Sequence, residues 1–140
     1  MHTHKIQHDL IIHALPSKVW KVLTSSEYAR QFLFNEELRS DWMKGSPIIL
    51  DIESNGIRES VSKGTVQEVV PGISMQYTLY ALPEFAESPV TCSYELAPEE
   101  GGIRLIISQE LELPSPGLYQ LVSDNCQMML QKIKWLAEYC

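Results

Sequence analysis

The sequence predicts an α+β domain: an antiparallel sheet with its helices gathered on one face. Three observations carry this. Residues 4–13 alternate polar and apolar side chains. Residues 48–113 are a run of strand-like segments separated by Asn-Gly, Pro-Gly and Gly-Gly turns. Residues 116–139 repeat apolar side chains at three- and four-residue steps. Period two marks half-buried strands and a 3.6-residue period an amphipathic helix, and consecutive strands closed by a long helix pack as sheet against helix.

In the first segment His4, Ile6, His8, Leu10 and Ile12 share one strand face, and Lys5, Gln7, Asp9, Ile11 and His13 the other. Pro16 ends that strand and suits the first turn of a short helix, where its missing N–H costs nothing; Val19, Trp20, Val22 and Leu23 give this helix an apolar side. Thr24-Ser25-Ser26 offers an N-cap for a second short helix over 27–34. After residue 38 the pattern turns to β. Strands are expected at 48–53, 61–70, 73–80, 90–97 and 103–113, with a hairpin turn at Asn55-Gly56 and a type II turn at Pro71-Gly72. The two prolines of 82–89 read as a loop. In the last helix Leu118, Val122, Cys126, Met129, Ile133, Leu136 and Cys140 form an apolar stripe, and Gln120, Asp124, Gln127, Gln131, Lys134 and Glu138 a polar far side.

The 140 residues are expected to form a single domain, 1–140, long enough to build a core without metal or disulfide staples. A hydrophobic content of 44% with 21% charged residues describes a globular chain, and a net charge of −7 opposes binding to a phosphate backbone, which argues against nucleic acid. The longest apolar runs are far short of the ~20 residues that span a bilayer, and Met1-His2-Thr3-His4-Lys5 is followed by no apolar signal region, so no targeting segment is expected. With three widely spaced cysteines and no CxxC pair, neither a disulfide framework nor a zinc knuckle is suggested. The expectation is a reduced, cytoplasmic protein with no membrane span.

Several motifs resemble one family. Ala14-x-Pro16-x-x-Val19-Trp20-x-x-Leu23-Thr24 is similar to its opening strand-to-helix passage. Asp41-Trp42-x-x-Gly45 and Gly64-x-Val66-x-x-Val69-x-Pro71 are similar to its central strands. Val90-Thr91, Gly101-Gly102-x-Arg104-Leu105 and the final helix complete the pattern. The chain resembles the START-like, or SRPBCC, superfamily, and within it the branch similar to the C-terminal domain of the activator of the heat-shock chaperone ATPase (AHSA-like). It departs from that branch at Asn125-Cys126, where a Gly-Trp pair is common, and at Phe32, where a Trp is common. The resemblance implies a helix-grip (START-like, Bet v-like) fold: a curved antiparallel sheet wrapped around the long C-terminal helix, with two short helices after the first strand and an apolar cavity between sheet and long helix. Members of the wider superfamily bind lipids, hormones or polyketide intermediates, and a minority are cyclases or hydrolases.

The candidate site follows from strand phase. Tyr77 is in phase with Ile73, Met75 and Leu79, and Tyr94 with Val90, Cys92 and Leu96, so both hydroxyls enter the space between sheet and helix, where each needs a partner. Gln109 is in phase with Ile103, Leu105 and Ile107 and is an inward amide, suited to orienting a ligand. Trp42, Cys92, Cys126, Met129 and Ile133 complete the expected ligand-binding cavity: an apolar pocket with a few polar anchors. Each of these residues also reads as ordinary core.

No catalytic residue is singled out. Glu36-Glu37 and Glu99-Glu100 diverge into solvent, Glu95 and Glu110 fall on the outer strand faces, and no histidine follows residue 13 to activate a cysteine. His4 and His8 lack a third ligand, so no metal is expected, and no cofactor. The favoured reading is non-enzymatic binding of an unidentified small hydrophobic molecule; a homodimer is compatible with it. The alternatives are a protein-interaction module regulating a chaperone or stress response, and a cyclase- or hydrolase-like enzyme acting on a hydrophobic substrate.

Overall fold

Period-two alternation builds β1 (His2–Ile12), which buries Ile6 and Ile12 and leaves Lys5, Gln7 and Asp9 in solvent. The computed structural model describes residues 2–25, 27, 28, 31, 36–81, 85–113 and 116–139. Pro16 opens α1 (Pro16–Thr24) at its first turn, and Val19, Val22 and Leu23 are buried beneath it. Of the second short helix, Glu27, Tyr28 and Gln31 are helical; the rest of 27–34, Phe32 included, lies outside the described residues.

Six further strands follow: β2 (Glu36–Ser40), β3 (Pro47–Ser54), β4 (Ile57–Val70), β5 (Ser74–Ala81), β6 (Phe85–Glu99) and β7 (Gly102–Leu113). Together with β1 they form one antiparallel sheet in the order β1-β7-β6-β5-β4-β3-β2. Asn55 and Gly56 both take left-handed dihedrals, φ 52° and 79°, as an Asn-Gly hairpin requires. Gly64 has a different reason: a Cβ there would collide with the carbonyl of Thr78, so only glycine lets β4 approach β5 closely at that point.

Two expectations are corrected. Residues 36–40 form an edge strand pairing Glu36↔Ile52 through Ser40↔Ile48, a five-residue segment too short and too charged to show period two. The supposed loop 82–89 is strand from Phe85 onward, although 82–84 lie outside the described residues. Pairing of β6 to β7 begins only at Thr91↔Glu110, and on the other side the register passes from Leu79↔Val90 to Ala81↔Phe85. Pro89 therefore sits in a skipped stretch that no second neighbour needs, where its missing N–H is harmless.

The long helix, α2 (Pro116–Tyr139), buries Cys126, Met129, Leu130, Ile133, Leu136 and Ala137 against the sheet. The side chains of Leu118 and Cys140 lie outside the described residues. The far side is less uniformly polar than its sequence suggests. Lys134 Nζ donates to the Ile11 carbonyl at 2.8 Å, and Glu138 accepts from the His13 backbone N–H at 2.8 Å and from Lys134. This clasp ties the end of the helix to the end of β1, and Leu121, Met128, Trp135 and Tyr139 remain exposed. Nearer the start of the helix, His8 Nε2 and Ser123 Oγ lie 2.8 Å apart.

Met129→Asp should cost several kcal/mol, because it buries an unpaired carboxylate, whereas Gln131→Asp, on an exposed position, should change stability by about 0.5 kcal/mol or less. Equal urea midpoints for the two would contradict the helix phase. The clasp predicts a pH dependence. Partial burial raises the Glu138 pKa, but the bonds from Lys134 and His13 outweigh it and leave the pKa below its ordinary 4.5. The group thus contributes stability that is complete above that value and is lost as pH falls through the lowered folded value. Glu138→Gln should therefore cost about 1 kcal/mol at pH 7, and the difference from wild type should close in urea titrations below pH 4.5.

Candidate functional site

Sheet register assembles the site. Tyr77 on β5 pairs with Cys92 on β6, Cys92 with Gln109 on β7, and Gln109 with Ile6 on β1, so one cross-strand row runs along the inner face. The next row holds Met75, Tyr94, Ile107 and His8. Tyr77 and Tyr94 are diagonal neighbours; their rings lie 5.9 Å apart and their hydroxyl oxygens 3.0 Å apart, so one donates to the other. Tyr77 lies directly opposite Cys92 in the register, and Gln109 Nε2 donates to Cys92 Sγ at 3.8 Å. The result is a polar string, Tyr94–Tyr77–Cys92–Gln109, set in an apolar face.

Trp42 meets this string edge-on, 6.0 Å from the Tyr77 ring. It follows β2 in a left-handed conformation, φ 55°, with its N–H donating to Ser40 Oγ at 3.1 Å. A bulky residue adopts that region at a cost, here offset by the aromatic contact. Cys126 on α2 lies near enough to Cys92 and Tyr94 to influence both electrostatically. Met129 and Ile133 are buried on the same helix face further along. Of the eight residues expected at the site, five are linked neighbour to neighbour: Trp42 to Tyr77, Tyr77 to Tyr94 and Cys92, and Cys92 to Gln109. Cys126, Met129 and Ile133 form part of the facing helix wall.

Exposure rises in the same direction along β5, β6 and β7. Ile103, Leu105 and Ile107 are buried, then Gln109 and Leu111 half-buried; Leu96, Tyr94 and Cys92 are buried, then Val90 half-buried; Met75 and Tyr77 are buried, then Leu79 half-buried. Val122, in the first half of α2, is half-buried as well. Along these strands burial decreases toward the end where β7 leads into α2, and Gln109 is one of the half-buried residues there.

Burial makes the string neutral. Desolvation, reinforced by Tyr94 and Cys92, holds the Tyr77 hydroxyl well above its ordinary value, and desolvation does the same for Tyr94. Burial also pushes both the Cys92 and Cys126 thiols up to about 11. Such groups donate and accept hydrogen bonds at neutral pH; they supply neither a general base nor a thiolate. Among the described residues no cluster of three His, Cys, Asp or Glu side chains is arranged to hold a metal.

One polar cluster was not singled out from sequence. Asp51, 2% exposed, receives Arg39 Nε and Nη2, both at 2.9 Å, and Ser60 Oγ at 2.7 Å. A register shift between Leu50 and Asp51 turns this carboxylate into the protein; its only trace in the sequence is an acid inside the apolar run 48–52. Beside it, Thr24, Leu38, Arg39, Ser40 and Trp42 line a recess of about 130 Å³. A wider groove, about 510 Å³, crosses the outer face of the sheet between Lys5, Glu68, Ile73, Glu95 and Glu110. It is open to solvent and lined largely by solvated side chains, so it lacks the enclosure that makes the inner face a candidate.

In a Cys140→Ser variant the native protein should react negligibly with Ellman's reagent at pH 8, since neither buried thiol ionises there. Fast labelling before unfolding would contradict the burial of Cys92 and Cys126.

The geometry finds close counterparts among solved structures. A protein of Cytophaga hutchinsonii matches with 25% identity and a TM-score of 0.76, over 96% of this chain and 94% of that one. The Aha1 dimer from Colwellia psychrerythraea matches with 17% identity and a TM-score of 0.75, over 97% of both chains. Ara h 8.0201 matches with 14% identity and a TM-score of 0.71, over 97% of this chain and 98% of that one. No significant relative is found among curated proteins. The sheet gripping α2 is the helix-grip fold of the START-like superfamily. The sequence profile described as "Activator of Hsp90 ATPase homolog 1-like protein" matches residues 13–138, and the chain belongs to that family.

Proposed function

We propose that the chain binds a small hydrophobic molecule bearing one uncharged polar end, held between the sheet and α2. The observation that carries this reading is the neutral string Tyr94–Tyr77–Cys92–Gln109 on the inner face, beside the half-buried apolar side chains Leu79, Val90, Leu111 and Val122. An apolar body would pack along those side chains, and Gln109, half-buried at the end of the string, is the anchor for the polar end. None of the string's members carries charge, so a ligand hydroxyl or carbonyl finds partners there while a carboxylate would lose hydration without a counter-ion. The same absence of a base disfavours a catalytic role for these groups. A homodimer belongs to the proposal too; that the Colwellia protein of the same fold is an Aha1 dimer supports it without placing an interface.

The test is a thermal-shift series of matched chain length: primary alcohols, methyl ketones and fatty acids at pH 8. Alcohols or ketones at a hundredfold above Kd should stabilise the fold by about 2.7 kcal/mol, with the acids weaker. Gln109→Leu should weaken a hydrogen-bonded ligand by about 0.5–1.5 kcal/mol. No shift from any compound would end the binding reading, and a preference for carboxylates would end the assignment of a neutral ligand.

A further inference from the structure

Helix α2 has a second apolar face. Leu121, Met128 and Trp135 recur at seven-residue steps and Tyr139 follows four residues later; they are 55%, 54%, 48% and 73% exposed. At 100° per residue the four fall within a narrow stripe opposite Leu130 and Ile133, and they span about 27 Å of helix. The Trp135 and Tyr139 rings meet at a tilt, 6.2 Å apart, and Lys132 Nζ lies 4.9 Å over the Trp135 ring. Aligned apolar side chains of this size on a free helix face mark an interaction surface, not scattered exposure.

The pattern around Met128 identifies the occupant. Asp124 lies four residues before it and Lys132 four residues after; Leu121 lies seven before and Trp135 seven after. We propose that the stripe is the contact between two copies of the chain, their α2 helices packed antiparallel about Met128. In that arrangement Met128 meets Met128, each Leu121 comes level with Trp135 of the second copy, and each Asp124 comes level with an oppositely charged Lys132. Parallel packing would set Asp124 against Asp124 and Lys132 against Lys132, so charge selects the antiparallel pair. The contact is isologous, as a closed dimer requires.

This assignment rests on the dimer reading above, and the experiment separates the two. Sedimentation velocity of the full chain across a concentration series should show a reversible monomer–dimer equilibrium. Met128→Asp should weaken it by about a hundredfold or more, by burying two facing carboxylates, with an unchanged circular dichroism spectrum because Met128 is exposed. Asp124→Lys and Lys132→Asp should each weaken it roughly tenfold, and the double exchange should restore it. A monomer at every concentration overturns both the dimer and the interface. A dimer unmoved by Met128→Asp keeps the dimer and overturns this interface. Additive weakening in the double exchange overturns the antiparallel register.

Discussion

Register between β5, β6 and β7 is the constraint on which the site depends. Side chains alternate across a strand, so slipping one strand by a single residue would turn Tyr77, Cys92 or Gln109 out to water and bring a solvent-facing neighbour inward. Short connections hold the pairing in place. Gly101, φ 81°, turns β6 directly into β7 at Glu99↔Gly102, and Gly72, φ 79°, turns β4 into β5. With the rows fixed, the diagonal meeting of Tyr77 and Tyr94 follows from strand geometry alone. α2 then closes over the sheet, clasped to the end of β1 by Lys134 and Glu138 and meeting β1 again through His8 and Ser123.

The chemistry of the inner face is a consequence of that enclosure. The two tyrosine hydroxyls satisfy one another and Gln109 donates to the Cys92 thiol, so the string persists inside an apolar core without a charge to stabilise it. Desolvation raises every titratable member in the same direction, which keeps the row uncharged across the physiological range. Asp51, the deeply buried carboxylate among the described residues, is instead held by Arg39, whose Nε and Nη2 both reach Oδ2, and by Ser60 on Oδ1.

Much of this was legible in the sequence, because it rests on periodicity. The alternation of 4–13, the Asn55-Gly56 turn and the stripe through Cys126, Met129, Ile133 and Leu136 locate the strands, the hairpin and the buried helix face. Phase alone turns Tyr77, Tyr94 and Gln109 inward. What escaped depends on departures from regularity. β2 is short and charged, the skipped stretch at Pro89 disguises a strand as a loop, and the shift at Leu50/Asp51 rotates an acid out of its expected phase. The outer stripe of α2 was missed for another reason: the polar residues between Leu121, Met128 and Trp135 satisfied the expectation of a solvated face, and exposure had to be seen to set it aside.

The edge-on contact between Trp42 and Tyr77 has an optical consequence. The chain's three tryptophans occupy three different settings: Trp20 on α1, Trp42 against the polar string and Trp135 on the outer face of α2. Tyrosine emission overlaps indole absorption, and rings 6.0 Å apart transfer excitation almost completely, so light absorbed by Tyr77 leaves through Trp42. The inner face therefore carries its own reporter: its emission wavelength follows local polarity, while Trp135 reads the opposite side of the helix.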